Sequence, residues 1–165
     1  MKTKRILSLL LAAVMLLGML TAGMTVEAKL PFNDTDGHWA TDAIEYVVEN
    51  GLMNGVGDGT SFAPDMSLTR GMVVTVLYRD NGSPKATFNG TFLDVAEGAY
   101  YTAAAEWAFA NEIVNGTGTD EWGEPYFSPD REITRQELAT MFQRYADFKY
   151  VDITKNNADI ASYPD

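Results

Sequence analysis

Apolar side chains recur every three or four residues in four stretches of the chain. Ile44, Val47, Val48 and Leu52 form the first stripe, and Met72, Val73, Val76 and Leu77 the second. Ala104, Ala105, Ala108, Phe109 and Ile113 form the third, and Leu138, Met141, Phe142 and Tyr145 the fourth. This spacing puts each set on one face of an α-helix. Asn50-Gly51 is a stop signal for the first helix, because glycine accepts the left-handed conformation that follows a helix end. Thr69 and Thr134 stand just before the second and fourth stripes as start signals. The glycine-rich loop Gly55-Val56-Gly57-Asp58-Gly59-Thr60 separates the first two helices. Asn81-Gly82-Ser83-Pro84 opens a predicted linker over 81–91.

A fifth apolar run has a different character. Ile6 to Leu20 carries no charge and follows Lys2, Lys4 and Arg5, and Val26-Glu27-Ala28 supplies a small-residue cleavage site. The pattern predicts a secretory signal peptide over 1–28. A membrane anchor needs about 20 apolar residues, and Thr21 to Ala28 dilutes the run too early. The expected membrane contact is therefore the transient one of a leader.

The four helices come in two copies of one unit. Phe62-Ala63-Pro64-Asp65 and Leu68-Thr69-Arg70 return as Phe127-Ser128-Pro129-Asp130 and Ile133-Thr134-Arg135, 65 positions later. Phe32-Asn33-Asp34 returns as Phe92-Leu93-Asp94 after 60, and Asn54-Gly55 as Asn115-Gly116 after 61. The offset grows mostly within Thr119 to Tyr126, an insertion in the second copy. The copies span 30–80 and 92–147. A third copy starts over 148–165, with Val151-Asp152-Ile153 and Ala158-Asp159-Ile160, and stops before any helix. Two short helices bury too little surface alone, so the units are expected to pack on one another. The predicted fold is all-α: tandem helix-loop-helix repeats in a pseudo-symmetric helical bundle with an incomplete third repeat. A repeat face left open predicts self-association.

Composition narrows the chemistry. The chain has 165 residues and no cysteine, which excludes disulfides, thiolate metal sites and a cysteine nucleophile. Its single histidine, His38, excludes a two-histidine site. Removing 1–28 leaves nine basic and 22 acidic residues, a net charge of −13. Non-specific nucleic-acid binding depends on clustered Lys and Arg, so no nucleic acid is expected as a partner. No cofactor is predicted.

Phe32-x-Asp34, His38-Trp39-Ala40, Gly51-Leu52-Met53-Asn54-Gly55, Phe62-x-Pro64-Asp65 and Leu68-Thr69-Arg70 follow in a characteristic order. The second copy matches through Asn115-Gly116, Phe127-x-Pro129-Asp130 and Ile133-Thr134-Arg135-Gln136-Glu137. This series resembles the S-layer homology domain over about residues 30 to 146. The resemblance implies three tandem copies packed as a pseudo-threefold helical unit. It implies an exported protein held non-covalently to a bacterial cell envelope through an anionic secondary cell-wall polysaccharide, often pyruvylated, or in some lineages through peptidoglycan. It implies a secreted, cell-wall or S-layer location and no catalytic role, with the polymer bound in grooves where the Thr-Arg-x-Glu signature lies.

Physical chemistry gives the same residues two uses. Thr134 with Glu137 three residues on is a capping box, a structural role that does not exclude a ligand. Arg135 in the first helical turn opposes the helix dipole, so capping does not explain it. A guanidinium beside free helix-start amides suits a carboxylate; an ion pair with an acid such as Asp130 is the other use. Thr69 and Arg70 stand in the same place, but Met72 replaces the glutamate and Gly71 the glutamine. Trp39 is a candidate for packing on a sugar ring, with burial in the core as the alternative. Gly57 and Asp58 offer an amide and a carboxylate to sugar hydroxyls, unless the loop needs them for its own geometry.

Two readings from other classes compete. A surface-anchored hydrolase would have its catalytic part beyond this chain, since Glu121 and Glu124 lie in an insertion with no fixed partner. A calcium-dependent interaction module would start from Asp34-Thr35-Asp36-Gly37, but Gly37 comes too early and His38-Trp39 interrupts the ligand pattern.

Overall fold

The computed structural model describes residues 30–150; the leader over 1–28 and the third-repeat start from residue 151 onward lie outside the described residues. One compact unit begins at Phe32 and carries every element below. In chain order these are α1 (Thr41–Glu49), α2 (Arg70–Asp80), α3 (Thr102–Ala110), a two-stranded hairpin of β1 (Gly118–Thr119) and β2 (Pro125–Tyr126), and α4 (Arg135–Phe148). The chain is all-α apart from that hairpin, which sits in the insertion predicted over Thr119 to Tyr126. Leu52 and Ile113, placed last in their stripes by periodicity, lie one turn past their helices.

The helix starts follow the sequence signals. The Thr69 hydroxyl accepts the Met72 amide at 3.3 Å. Thr134 and Glu137 form the full reciprocal box. α1 and α3 have no side-chain cap. Thr41 instead donates its hydroxyl to the carbonyls of Thr35 and His38, which fixes the approach to α1.

The core centres on α3. Thr102, Ala104, Ala105, Glu106, Trp107 and Ala108 are all buried. The alanines leave room for α2 to approach closely, since side-chain size sets how near two helices pack. Val73, Val74 and Leu77 of α2 join Phe92, Val95, Ile113, Val114, Phe127 and Met141 in one hydrophobic cluster with α3. By contrast, α1 buries only Ile44 and α4 only Met141.

The predicted linker is pinned. The buried Glu106 carboxylate accepts the amides of Asn89 and Thr91, each at 3.2 Å, and the Thr91 hydroxyl. These bonds offset the cost of burying a carboxylate. The Tyr78 hydroxyl donates to the Pro84 carbonyl at 2.6 Å.

Each repeat also has an aspartate clamp. Asp34 accepts the amides of Phe62 and Ala63 at 2.9 and 2.8 Å. Asp94 accepts those of Phe127 and Ser128 at 2.7 Å each. The clamp ties the first residues of a repeat to the loop before its second helix. Ala63 and Ser128, the clamped second residues, both adopt positive φ, so the two carboxylate bonds hold a backbone conformation that is costly for a non-glycine residue.

Candidate functional site

The two Thr-Arg pairs open α2 and α4, and their arginines have opposite surroundings. Arg70 is buried, with 3% of its surface exposed. Its Nε donates to the Phe127 carbonyl at 2.9 Å, and a terminal nitrogen meets Glu137 at 3.2 Å. The guanidinium also lies over the Phe127 ring, 5.1 Å from its centre. A first-repeat side chain thus reaches into the second repeat and is engaged there by a carbonyl, a carboxylate and a ring. Burial pulls the Arg70 guanidinium below its ordinary value, against the opposing pull of the Glu137 charge.

Backbone pairing surrounds this contact. The amides of Arg70 and Gly71 donate to the carbonyls of Arg131 and Pro129 at 3.0 and 2.8 Å, and the Ile133 amide donates to Leu68 at 3.1 Å. Gly71 is needed at this approach, because a Cβ there would lie 3.1 Å from both the Pro129 carbonyl oxygen and the Tyr101 ring.

Glu137 is the hub. It accepts from Arg131, Arg70, and both the amide and the hydroxyl of Thr134. The Arg131 bond is the main reason its carboxyl is held at about 2, with Thr134 and the Arg70 charge adding to it against a partial desolvation. Arg131 was not singled out in the sequence; its motif position in the first repeat is Met66, so no repeat signal marked it.

Arg135 is exposed, as are Thr134 and Gln136. A shallow groove of about 360 Å³ is lined by Arg70, Gln136, Glu137, Thr140 and Arg144 of the two helices and by Asn115; Arg135 itself is not in its lining. The first repeat has its counterpart, a cavity of about 610 Å³ between its glycine-rich loop and α2, lined among others by Gly57, Leu68, Met72, Val76 and Tyr100. Met72 stands in this apolar cavity where Glu137 stands in the groove.

The remaining candidates are apart from this network. Trp39 is 91% exposed, beside the His38 ring, so the alternative of a core tryptophan is not what the fold shows. The Asp58 carboxylate accepts the Thr60 amide and hydroxyl at 3.0 and 2.7 Å, which closes the glycine-rich turn. Gly57 has a φ of 58° in the same turn. Both oxygens of Asp34, the start of the faint calcium pattern, are taken up by the clamp described above. Among the described residues no group of three or more acidic or histidine side chains could hold a metal ion. No helix of these residues is long and apolar enough to cross a membrane.

The S-layer homology domain model matches residues 31–71 and 91–139, the two repeats. The chain is 32% identical over 122 residues to a cellulosome-anchoring protein of Acetivibrio thermocellus, covering 71% of this chain and 26% of that protein. It is 29% identical over 126 residues to a surface-layer 125 kDa protein of Lysinibacillus sphaericus, covering 73% and 10%. It is 30% identical over 113 residues to an amylopullulanase of Thermoanaerobacterium thermosulfurigenes, covering 68% and 6%. The chain thus spans a small part of each of these relatives. Two matched repeats, covering more than half of its residues, make the chain a member of the S-layer homology domain family.

Proposed function

We propose that the chain attaches an exported protein non-covalently to a bacterial cell envelope by binding an anionic, pyruvylated secondary cell-wall polysaccharide. Family membership supports attachment as the task, and so do the names of the cellulosome-anchoring and surface-layer relatives. The amylopullulanase activity belongs to a relative of which this chain matches 6%. In this reading the chain is the attaching part, and any hydrolysis belongs to what it carries.

The observation that carries the ligand reading is the exposed Arg135 at the start of α4, next in sequence to Gln136, which lines a groove with Thr140 and Arg144. A helix start and a guanidinium fork both favour a carboxylate such as a pyruvate ketal. Thr134 and Glu137 fix the turn from which Arg135 projects. Thr69 caps the corresponding turn of the first repeat, and Arg70 holds Glu137 in place from within. Trp39 offers an aromatic face to a sugar ring. The net charge of −13 does not oppose this, since exposed charges are screened beyond about 8 Å at physiological salt.

The test is co-sedimentation of residues 29–165 with cell-wall sacculi, before and after chemical removal of the pyruvylated polymer. Binding that is lost on stripping, and lost in Arg135→Ala with unchanged melting, is the expected result. Equal sedimentation with stripped walls would transfer the ligand to peptidoglycan. Full binding by Arg135→Ala would remove the arginine from the site.

A further inference from the structure

Asparagine followed by glycine is the dipeptide that most readily loses its side-chain amide, because glycine has no side chain to keep its backbone nitrogen from the asparagine Cγ. The chain holds five such pairs, at Asn50, Asn54, Asn81, Asn89 and Asn115. The fold treats them unequally. The attacking nitrogens of two are tied up at helix ends, where Gly51 donates to the Val48 carbonyl at 2.9 Å and Gly82 to that of Arg79 at 2.8 Å. Two more glycines are walled in. A Cβ on Gly55 would lie 2.6 Å from the Phe32 ring and 2.8 Å from the Ser61 carbonyl oxygen, and one on Gly116 would lie 2.7 Å from that of Tyr126. Asn89 and Gly90, by contrast, are both exposed. No atom beyond its chain neighbours lies within 4 Å of the Cβ position of Gly90. Among the described residues neither the Gly90 amide nor the Asn89 side chain has a hydrogen-bond partner.

We propose that Asn89 is a site of spontaneous covalent modification, converted in the folded protein to aspartate or isoaspartate through a cyclic imide with Gly90. The Gly90 nitrogen bonds to the Asn89 Cγ, the Cγ–Nδ2 bond breaks, and the side-chain nitrogen leaves as ammonia carrying the Gly90 proton. Water, the only co-reactant, then opens the ring at either carbonyl. Opening at one restores the ordinary main chain with a carboxylate in place of the amide. Opening at the other routes the main chain through the former side chain and lengthens it by one carbon.

The surroundings give the change a consequence. The Asn89 and Thr91 amides, on either side of Gly90, both meet one oxygen of the Glu106 carboxylate at 3.2 Å, and the Thr91 hydroxyl meets the other. Among the described residues these are all the hydrogen bonds that carboxylate receives. Either product sets a second negative charge next to this pin. The isoaspartyl form also adds a main-chain atom between the two amides, so they no longer converge on one oxygen. Glu106 is 4% exposed, and a buried carboxylate short of donors is costly. Conversion thus loosens the linker from α3 and lowers stability. None of this depends on the ligand reading, and its test contains no wall material.

The test is incubation of the purified chain in warm, mildly alkaline buffer, with peptide mapping by mass spectrometry to score acid at each of the five positions. In the folded protein Asn89 is expected to convert several-fold faster than each of the other four, and the five rates should draw together in urea. The converted fraction, separated by anion exchange, should melt several degrees below the fresh protein. Asn89→Gln, whose longer side chain closes the ring far more slowly, should keep its melting temperature over the same period. Conversion of Asn89 no faster than that of the other pairs would overturn the proposal. So would an equal preference for Asn89 in urea, which would place its cause in the local sequence rather than in the fold. A converted fraction that melts like the fresh protein would overturn the loosening of the Glu106 pin.

Discussion

Arg70 and Arg135 occupy the same place in the same motif and live in different solvents. Arg70 sits under the second repeat with a carbonyl, a carboxylate and a ring around it, whereas Arg135 stands at an exposed helix start. The local sequence, Thr-Arg at the opening of a helix, is common to both. What differs is whether another repeat lies in front of it. A motif read from sequence therefore fixes the local turn, while its neighbour decides whether the arginine becomes a buried structural pin or stays at the surface.

Removing Arg70 should give the largest effect. Arg70→Ala leaves the Phe127 carbonyl without its donor, deprives Glu137 of one cation and opens a space in the junction. Breaking one partner out of a buried pair costs several kcal/mol; about 3 kcal/mol is expected here, because Arg131 still holds Glu137. That corresponds to a fall of roughly 10 °C in Tm for a domain of this size. Arg70→Lys should recover less than half, since an ammonium cannot bond the carbonyl and the carboxylate through a planar fork. Equal melting of Arg70→Ala and Arg135→Ala would erase the contrast between the two arginines.

The next position sharpens the comparison. Gly71 and Gln136 correspond, and only Gly71 lies under a neighbouring repeat. Alanine in a helix interior gains about 1 kcal/mol over glycine. At Gly71 the new Cβ would press on the Pro129 carbonyl and the Tyr101 ring at 3.1 Å. Overpacking of that kind costs about 1–3 kcal/mol, so Gly71→Ala should be destabilising by about 1 kcal/mol net. Gln136→Ala, at an exposed site, should stay within about 0.5 kcal/mol. Thermal unfolding of the two variants side by side decides it, and a stabilised Gly71→Ala would mean the junction is looser than described.

Much of this organisation was legible in the chain. The helical stripes, the threonine caps and the reciprocal Thr134–Glu137 box follow from local spacing, and all formed. The loss of the box at Met72 was equally visible. The long-range features were not. Periodicity cannot say that α3 is covered on nearly all sides while α1 keeps one buried residue, because both carry apolar residues at similar spacing. It cannot say that Arg70 crosses to Phe127, 57 positions away. The clamps by Asp34 and Asp94 did leave a trace, since each aspartate recurs two residues after a phenylalanine in both copies. Reading them as pins required knowing that they meet the amides of Phe62 and Phe127 and of the residues that follow them. Glu106 left no such trace: its counterpart Glu45 lies on α1, only half-buried.

The most specific effect is acid sensitivity at Glu137. Its carboxyl is held at about 2 in the folded chain, below the ordinary value of 4.5, chiefly by Arg131. As pH falls below about 4.5 the unfolded chain takes up this proton first, while the folded chain still excludes it. The stabilising contribution is therefore complete above that value and is lost progressively as pH falls toward 2. Glu137→Gln removes the titrating group, so its stability should depend less steeply on pH across this window. The two proteins should differ most near neutrality and converge toward pH 2. The corresponding position of the first repeat is Met72, which does not titrate. Parallel stability curves for the wild type and Glu137→Gln between pH 4.5 and 2 would mean that Arg131 and Arg70 hold the carboxylate too weakly to matter. In that case the buried contacts of Arg70 with Phe127, rather than the ion pair, would carry the junction.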